Sequence, residues 1–406
     1  MHFSIIGQKE NFFKRVYIFF NIFYDEKKRV KGKCTLRKIF RKDSAFKVAF
    51  QEKECYILFH RIRHVKKGES PVKIFYLEAD EPGKMLLKSQ DYDVSTLKED
   101  EVLLKNEYSA VSAGTERAWL SGASNNAAQV FPYRPGYSAA GHVLACGSAV
   151  KNLKEGDRVV ISAGGHRSAT VQKASRVFKI EDNSIDLKEA AFSYIASFSL
   201  LGLRRLNLQL GESLMIAGQG ILGLIAVQFA SYCGANPLLA ADPDPARREL
   251  ALQLGADAAL DPAKDDFVQQ VKNLTGNGVN AVVEVTGIAA ALKQALQYTA
   301  RQGRITLLGC TRVPDQTIDF YREVHLPGIT LIGAHTSNRP YMDSRPGQWS
   351  EHDDYRTLMR FLANRKVQIT PLISRVASPE EAPEVYKSLL AVKNPPPGIL
   401  FDWRDL

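Results

Sequence analysis

The chain has 406 residues, 45% of them hydrophobic and 24% charged, which is the composition of a globular protein of two or three domains. Its net charge of +10 suggests a nucleic-acid or membrane partner until it is located: residues 1–71 hold 18 Lys plus Arg against 7 Asp plus Glu, and the remainder is close to neutral. The five cysteines form no C-x-x-C pair, and no apolar run reaches the roughly 20 residues of a membrane span, so the expectation is a reducing, cytoplasmic setting with no nucleic-acid and no membrane partner.

The first 71 residues stand apart. They carry 10 of the 20 phenylalanines and alternate apolar with basic residues without a sustained period. "VYIFFNIFY" (16–24) is apolar but short, and no small-residue cleavage site follows it. The expectation is a basic leader outside the fold, with Val72 as a natural start read from a GUG codon behind a ribosome-binding sequence encoding "KKGES". A basic arm that touches an anionic partner is the alternative.

From Val72 the pattern becomes orderly. Short β-type runs with Gly and Pro punctuation ("VLLKNEYSAVSAG", "AAGHVLACG", "GDRVVISAGG", "ATVQKASRVFKI") predict a partly closed β domain over 72–195. Over 196–335 strands and helices alternate: "SLMIAG" then "ILGLIAVQFASYCG", "PLLAAD" then "DPARRELALQLG", followed by "AVVEVTG" and "RITLLG". Such alternation predicts a parallel sheet wound with helices. Residues 336–406 return to mixed structure, with helices in "DYRTLMRFLANR" and "PEEAPEVYKSLLAV".

"AGQGILG" places Gly218, Gly220 and Gly223 as G-x-G-x-x-G between a predicted strand and a predicted helix, the context in which this motif binds a dinucleotide. The first glycine permits the turn, the second admits the pyrophosphate, and the third lets helix and strand pack closely. Asp242 ends the next strand, 19 residues after Gly223, where a carboxylate accepts the ribose hydroxyls and repels a 2′-phosphate. This favours NAD; Arg247 and Arg248 nearby soften the discrimination, and a helix cap is the other use open to Asp242.

Together "GDRVV", "AGQGILG", "AADPDPARRELALQLGADAALDP", "AVVEVTG" and "GRITLLG" resemble the medium-chain dehydrogenase/reductase superfamily, the alcohol dehydrogenase-like enzymes, over 72–406. The resemblance implies an α/β protein with a GroES-like β domain, a Rossmann domain, a cleft between them, and a homodimer. It also implies Ser197, Thr286, Leu308 and Gly309 as cofactor-lining residues beside the glycines, Asp242 and Arg247. Zinc-dependent members carry Cys in a C-G-T-D-like motif, His in G-H-E, and a later Cys. Here the aligned residues are Ala113, Tyr137 and Ser193, and "GDRVVISAGGHRSATVQ" runs straight through the position of the structural zinc lobe. Such side chains are poor zinc ligands, so the expectation is no zinc.

"SAGTE" with "PYRPGYSAAG" narrows the likeness to a zinc-free branch resembling the bacteriochlorophyllide a dehydrogenase-like proteins, with the substrate open. The resemblance then implies an alcohol or ketone substrate, Thr115 at the head of a proton path, and Tyr137 as a donor in place of a metal ligand. Glu116, His166 and His335 are further acid–base candidates; each also has a purely structural reading. "TSNRPYMDSRPGQW" (336–349) reads as a pocket cover or as a surface loop. Two other functions fit the same residues: a zinc-free quinone or enone reductase, and an NAD(H)-binding sensor without turnover.

Overall fold

A computed structural model describes residues 71–122, 130–345, 347–392 and 394–406. The leader expected over 1–71 therefore lies, but for Pro71, outside the described residues.

The chain opens on a hairpin, β1 (Val72–Glu81) and β2 (Lys84–Tyr92), then β3 (Glu101–Ala110), helix α1 (Ala113–Leu120) and β4 (Ser138–Cys146). Strands β5 (Arg158–Ser162), β6 (Ala169–Lys173) and β7 (Phe178–Lys179) follow, and then helices α2 (Leu187–Ala190) and α3 (Ser193–Leu206). The parallel region contains β8 (Leu214–Ala217), α4 (Ile221–Tyr232), β9 (Leu238–Ala241), α5 (Pro245–Gln253), β10 (Ala258–Leu260) and α6 (Phe267–Thr275). It continues with β11 (Val279–Glu284), α7 (Ala289–Tyr298), β12 (Thr299–Leu307) and β13 (Thr330–Gly333). Last come α8 (Glu351–Ala363), β14 (Ile373–Ala377), α9 (Ala382–Ala391) and β15 (Gly398–Asp402).

Two sheets carry the site. The first runs β14-β15-β3-β4-β5-β7, with β6 on β3. Strands β14 and β15 come from the C-terminal segment, β15 pairing antiparallel to β3 with Leu400 opposite Ala110. The second runs β10-β9-β8-β11-β12-β13, all parallel. Read from its first strand, that is the 3-2-1-4-5-6 order of a Rossmann sheet, which reverses direction between β8 and β11. The carboxyl ends of those two strands open a crevice, because the helices that follow them leave to opposite faces.

The sequence explains the second sheet directly. Its central strands are continuous apolar runs, "LMIA" and "LLAA", fully buried as parallel strands covered on both faces must be. Helix α4 buries Ile221, Leu224, Ile225, Val227 and Phe229 all round, since it lies between the sheet and α3. No helix among the described residues is long and apolar enough to cross a membrane.

Candidate active site

A cleft of about 710 Å³ opens at the switch point of the Rossmann sheet and extends to α1 and Tyr137. Its floor is the glycine loop. Gly218 sits at φ +98°, and a Cβ there would meet Thr286 Cγ2 at 2.9 Å. At Gly223 a Cβ would stand 1.8 Å from the carbonyl oxygen of Gly218, whereas at Gly220 it would meet nothing within 4 Å. The three glycines thus do different work: one makes the turn, one packs helix on loop, and Gly220 leaves room for a ligand. Gly220 also precedes α4 with no side-chain cap, so the first-turn N–H groups and the positive end of the helix dipole suit an anion.

Asp242 follows β9 at the cleft edge and is buried. Its carboxylate accepts from Gln219 N (2.8 Å) and Asp244 N (2.9 Å), which ties it to the glycine loop. The helix cap is Asp244 instead, accepting from Ala246 N and Arg247 N with Pro245 in the first turn. Arg247 lines the cleft beside Asp242, with Nη1 3.7 Å from Asp242 Oδ2 and Nη2 donating to the Pro395 carbonyl. Arg248 turns away and holds the Asp242 and Pro243 carbonyls.

Across the switch point, β11 ends in Glu284, which the sequence reading passed over. It accepts from Thr286 N (2.8 Å), the Thr286 hydroxyl and Gly287 N (3.2 Å). Burial pushes its carboxyl above the usual range, against the pull of those three bonds. Glu284 therefore fixes the turn that sets Thr286 on the cleft wall, where Leu308 and Gly309 also lie.

The opposite end is built from hydroxyls. Ser112, Thr115 and Tyr137 all line the cleft. The Tyr137 phenol donates to Ser112 Oγ, and the Thr115 hydroxyl stands close by on the same cleft wall. Burial raises the phenol to about 12, opposed by those two hydroxyls, so it holds its proton at neutral pH. Hydroxyls so placed can relay a proton, each oxygen accepting one as it hands on its own, because each is both donor and acceptor. Behind them Ser112 N donates to Glu116 Oε1 (2.9 Å), and the Tyr386 hydroxyl donates to Glu116 Oε2 (2.6 Å). His166 Nε2 lies 3.3 Å from both carboxylate oxygens. Trp403 Nε1 donates to Ser109 Oγ (2.8 Å), and Ser109 Oγ is 2.7 Å from His166 Nδ1. That order makes Nδ1 the acceptor and leaves Nε2–H for Glu116.

The expected catalytic residues thus separate. Thr115 and Tyr137 meet at the cleft, while Glu116 and His166 bond each other, buried, one layer behind Ser112. His335 lines the cleft at its exposed rim, its Nδ1 engaged by Ser337. Ser197 faces away: it is buried and its hydroxyl donates to the Tyr194 carbonyl. Ser193 likewise donates to Ala190 O. The cleft face of α3 is one residue on, at Tyr194 and Phe198; one residue is about 100° of turn. Their i,i+4 spacing was the available signal. Ser112 had one too, as the residue opening the helix that Glu116 closes back on. In 336–349, Arg339 is buried between Asp354 (2.6 Å) and Glu351 (2.8 Å), Tyr341 donates to Arg176 O, and Trp349 stacks on Arg204. These three anchor the segment elsewhere; among its described residues only Thr336 lines the wall.

The profile described as alcohol dehydrogenase GroES-like domain matches residues 98–186, and the one described as zinc-binding dehydrogenase matches 222–364, together more than half the chain. The chain belongs to the medium-chain, alcohol dehydrogenase-like superfamily. Among its relatives are D-guloside 3-dehydrogenase of Escherichia coli, 26% identical over 73% of this chain and 91% of the relative, and sorbitol dehydrogenase of Bacillus subtilis, 28% identical over 58% and 78%. A Sinorhizobium meliloti structure described as a zinc-binding dehydrogenase bound to NADP aligns at TM-score 0.69 and 21% identity, over 82% of this chain and 99% of that one. The GroES-like and Rossmann architecture is thereby shared.

The superfamily raises zinc. Among the described residues no three His, Cys, Asp or Glu side chains converge on a metal position. The groups that do converge at the hydroxyl end are two aliphatic alcohols and a phenol whose proton is held tightly, and the imidazole and carboxylate buried behind them, His166 and Glu116, are bonded to each other. That donor set does not fit zinc. A nicotinamide dinucleotide fits better: Gly220 leaves the space, α4 offers N–H groups, and Asp242 and Thr286 flank the loop.

Proposed function

We propose that this protein is an NAD-dependent, zinc-free oxidoreductase that interconverts a secondary alcohol, of the sugar or polyol kind, and its ketone. The observation that carries this reading is a single cleft with a dinucleotide loop at one end and the Ser112–Thr115–Tyr137 hydroxyls at the other. Relatives named for D-guloside and sorbitol support the substrate class. NAD, when bound, supplies the acceptor for the hydride leaving the carbinol carbon.

The chain's own residues do the rest. Gly220 and the start of α4 receive the pyrophosphate, and Asp242 takes the adenosine ribose. A carboxylate there disfavours a 2′-phosphate, and Arg247 is already engaged by Asp242 and Pro395, which supports NAD over NADP. At the other end the substrate hydroxyl bonds Ser112 or Thr115. As the carbonyl forms, its proton passes into the hydroxyl row and out to water; in reduction the row returns it. Glu116 positions Ser112 through its backbone N–H, with His166 and Tyr386 holding the carboxylate. Preorganised donors of this kind stabilise developing oxyanion charge without a metal.

We also propose a homodimer in the cytoplasm. Among the described residues β13 pairs only with β12, leaving an open edge, and the exposed Phe320 and Tyr321 precede it. Light scattering on the purified protein tests the dimer. The function is tested by adding NAD or NADP to the protein with a panel of secondary alcohols and following the reduced nicotinamide. Turnover with NAD is expected; NAD(H) binding without turnover of any alcohol or ketone favours a sensor, and preferential enone reduction with NADPH overturns the reading.

A further inference from the structure

Relatives named for a ring glycoside and for an open-chain polyol leave the shape of the substrate undecided. The geometry of α1 points to a ring: we infer that the substrate is a hexopyranoside-type sugar whose ring packs on Trp119 while a ring hydroxyl reacts at Ser112 and Thr115. This inference rests on the dehydrogenase reading above.

Ser112, Thr115 and Trp119 are three and four residues apart and line the same cleft. At those spacings side chains stack along one side of a helix. Four residues rise about 6 Å, so the indole stands one turn beyond the hydroxyl that meets the reacting oxygen, a separation a six-membered ring bridges. The indole is a fixed wall. Tyr133 stacks behind it at 5.6 Å and 11°, and Tyr133 is itself pinned to β1 by two 2.8 Å backbone bonds with Ala79. On the α3 side stand Tyr194 and Phe198, packed edge to face at 4.9 Å. Rigid aromatic walls suit the C–H face of a sugar ring, and a preformed ring gives up less torsional freedom on binding than an open chain. An apolar ring alcohol is disfavoured, because the three hydroxyls and the Thr336 and Asn394 rim would lose water without gaining partners.

The step balances within this site. A ring CH–OH becomes C=O as its hydride passes to the bound nicotinamide and its hydroxyl proton to the Ser112–Thr115–Tyr137 row.

The test uses the full chain with NAD and a panel of methyl hexopyranosides, whose blocked anomeric carbon leaves ring hydroxyls as the reacting groups. Hexitols and cyclohexanol serve as comparisons. In parallel, saturation-transfer NMR reads binding of the same sugars to the protein–NADH complex without turnover. We expect at least one pyranoside to exceed every hexitol and cyclohexanol in kcat/KM, with its ring C–H protons saturated. Trp119→Ala should raise the KM for that pyranoside about tenfold, and Trp119→Phe should restore most of it; NADH binding and melting temperature report that both variants are folded. Hexitols matching or exceeding the pyranosides, or an unchanged pyranoside KM in folded Trp119→Ala, overturns the ring inference and leaves the dehydrogenase reading standing. Pyranosides that bind through Trp119 without oxidation, in a protein that turns over no other alcohol, overturn the dehydrogenase reading and with it the reaction of a ring hydroxyl at Ser112 and Thr115. Failure of every pyranoside to bind or react overturns the ring inference outright.

Discussion

The two ends of the cleft are made differently. The cofactor end is made of main chain: Gly218, Gly220 and Gly223 shape one continuous turn, and carboxylates at Asp242 and Glu284 brace the backbone N–H groups around it. The substrate end is made of side chains from distant segments. Ser112 precedes α1 and Thr115 lies in it, Tyr137 precedes β4, and the buried support behind them reaches Tyr386 and Trp403. A site of main chain depends on which residues are absent, namely any Cβ at the glycines. A site of side chains depends on each hydroxyl being present. The two ends should therefore break under opposite kinds of substitution.

The largest effects belong to the hydroxyl end. Tyr137→Phe, Thr115→Val and Ser112→Ala should each lower turnover by about 10²–10³, the usual loss for one good oxyanion donor, with NAD affinity nearly unchanged by calorimetry. Tyr137→Phe at wild-type rate would remove the phenol from the proton path. Ser112→Ala at wild-type rate would mean that Thr115 alone meets the substrate.

This contrast also sets what was legible in the sequence. The glycine spacing and Asp242 are visible because their geometry is local, strand, turn and helix in one stretch, whereas Thr286, Leu308 and Gly309 rest on the superfamily likeness. The parallel sheet was legible through the same local geometry. Thr115 and Tyr137 rest on the superfamily likeness; Ser112, which accepts from Tyr137, opens the same "SAGTE" stretch, but the likeness assigns it no role. Glu116 and His166 are visible as acid–base candidates, but Tyr386, which bonds Glu116, and Trp403, which reaches His166 only through Ser109, are hundreds of residues away, and no periodicity reports such a pairing. Ser197 fails for a smaller reason: on a buried helix a one-residue error in facing exchanges Ser197 for Phe198, and hydroxyls can satisfy themselves on the helix's own carbonyls.

At the cofactor end the glycines separate stability from binding. Gly223→Ala forces a Cβ against the Gly218 carbonyl at 1.8 Å and should cost about 3 kcal/mol in a denaturant titration. Gly220→Ala has open space around it and a φ of −74° that any residue adopts. It should melt like wild type and bind NAD at least about tenfold more weakly, because the methyl fills the pyrophosphate's approach. Equal NAD affinity in Gly220→Ala places the dinucleotide elsewhere.

Asp242→Gly should weaken NAD binding by about tenfold and narrow the preference over NADP. Because the carboxylate also ties Gln219 N and Asp244 N, a modest fall in melting temperature should accompany it. Tighter binding of NADP than NAD by the wild-type protein would contradict the ribose assignment.

A smaller expectation concerns pH. Burial raises the Tyr137 phenol to about 12. The protonated phenol is the form that donates to Ser112, and it persists below that value, so its loss begins only as pH climbs toward 12. Between pH 7 and about 10, where a free tyrosine begins to ionise, kcat/KM should show no downward break due to Tyr137. Tyr137→Phe should lower the profile without changing its shape. A break near 10 that vanishes in the variant would place the phenol in water rather than against Ser112.

The smallest effect expected is that of a chelator. In a zinc-dependent relative the metal polarises the substrate oxygen, and its removal abolishes turnover. Here the positions aligned with its ligands are Ala113, Tyr137 and Ser193. Ala113 has no donor atom. Ser193 spends its hydroxyl on Ala190 O and faces away from the cleft. Tyr137 keeps its proton up to about 12 and so lacks the phenolate a metal would want. Glu116 and His166 are the right types of ligand, but both are buried with their polar atoms turned on each other and on Ser112, Tyr386 and Ser109. Recruiting them would mean breaking that network and exposing it to the cleft. Prolonged dialysis against a strong chelator should therefore leave turnover within error of the untreated protein, and metal analysis of active protein should find zinc far below one atom per chain. Stoichiometric zinc that falls together with activity on chelation would overturn the hydroxyl mechanism and return the site to the zinc-dependent pattern.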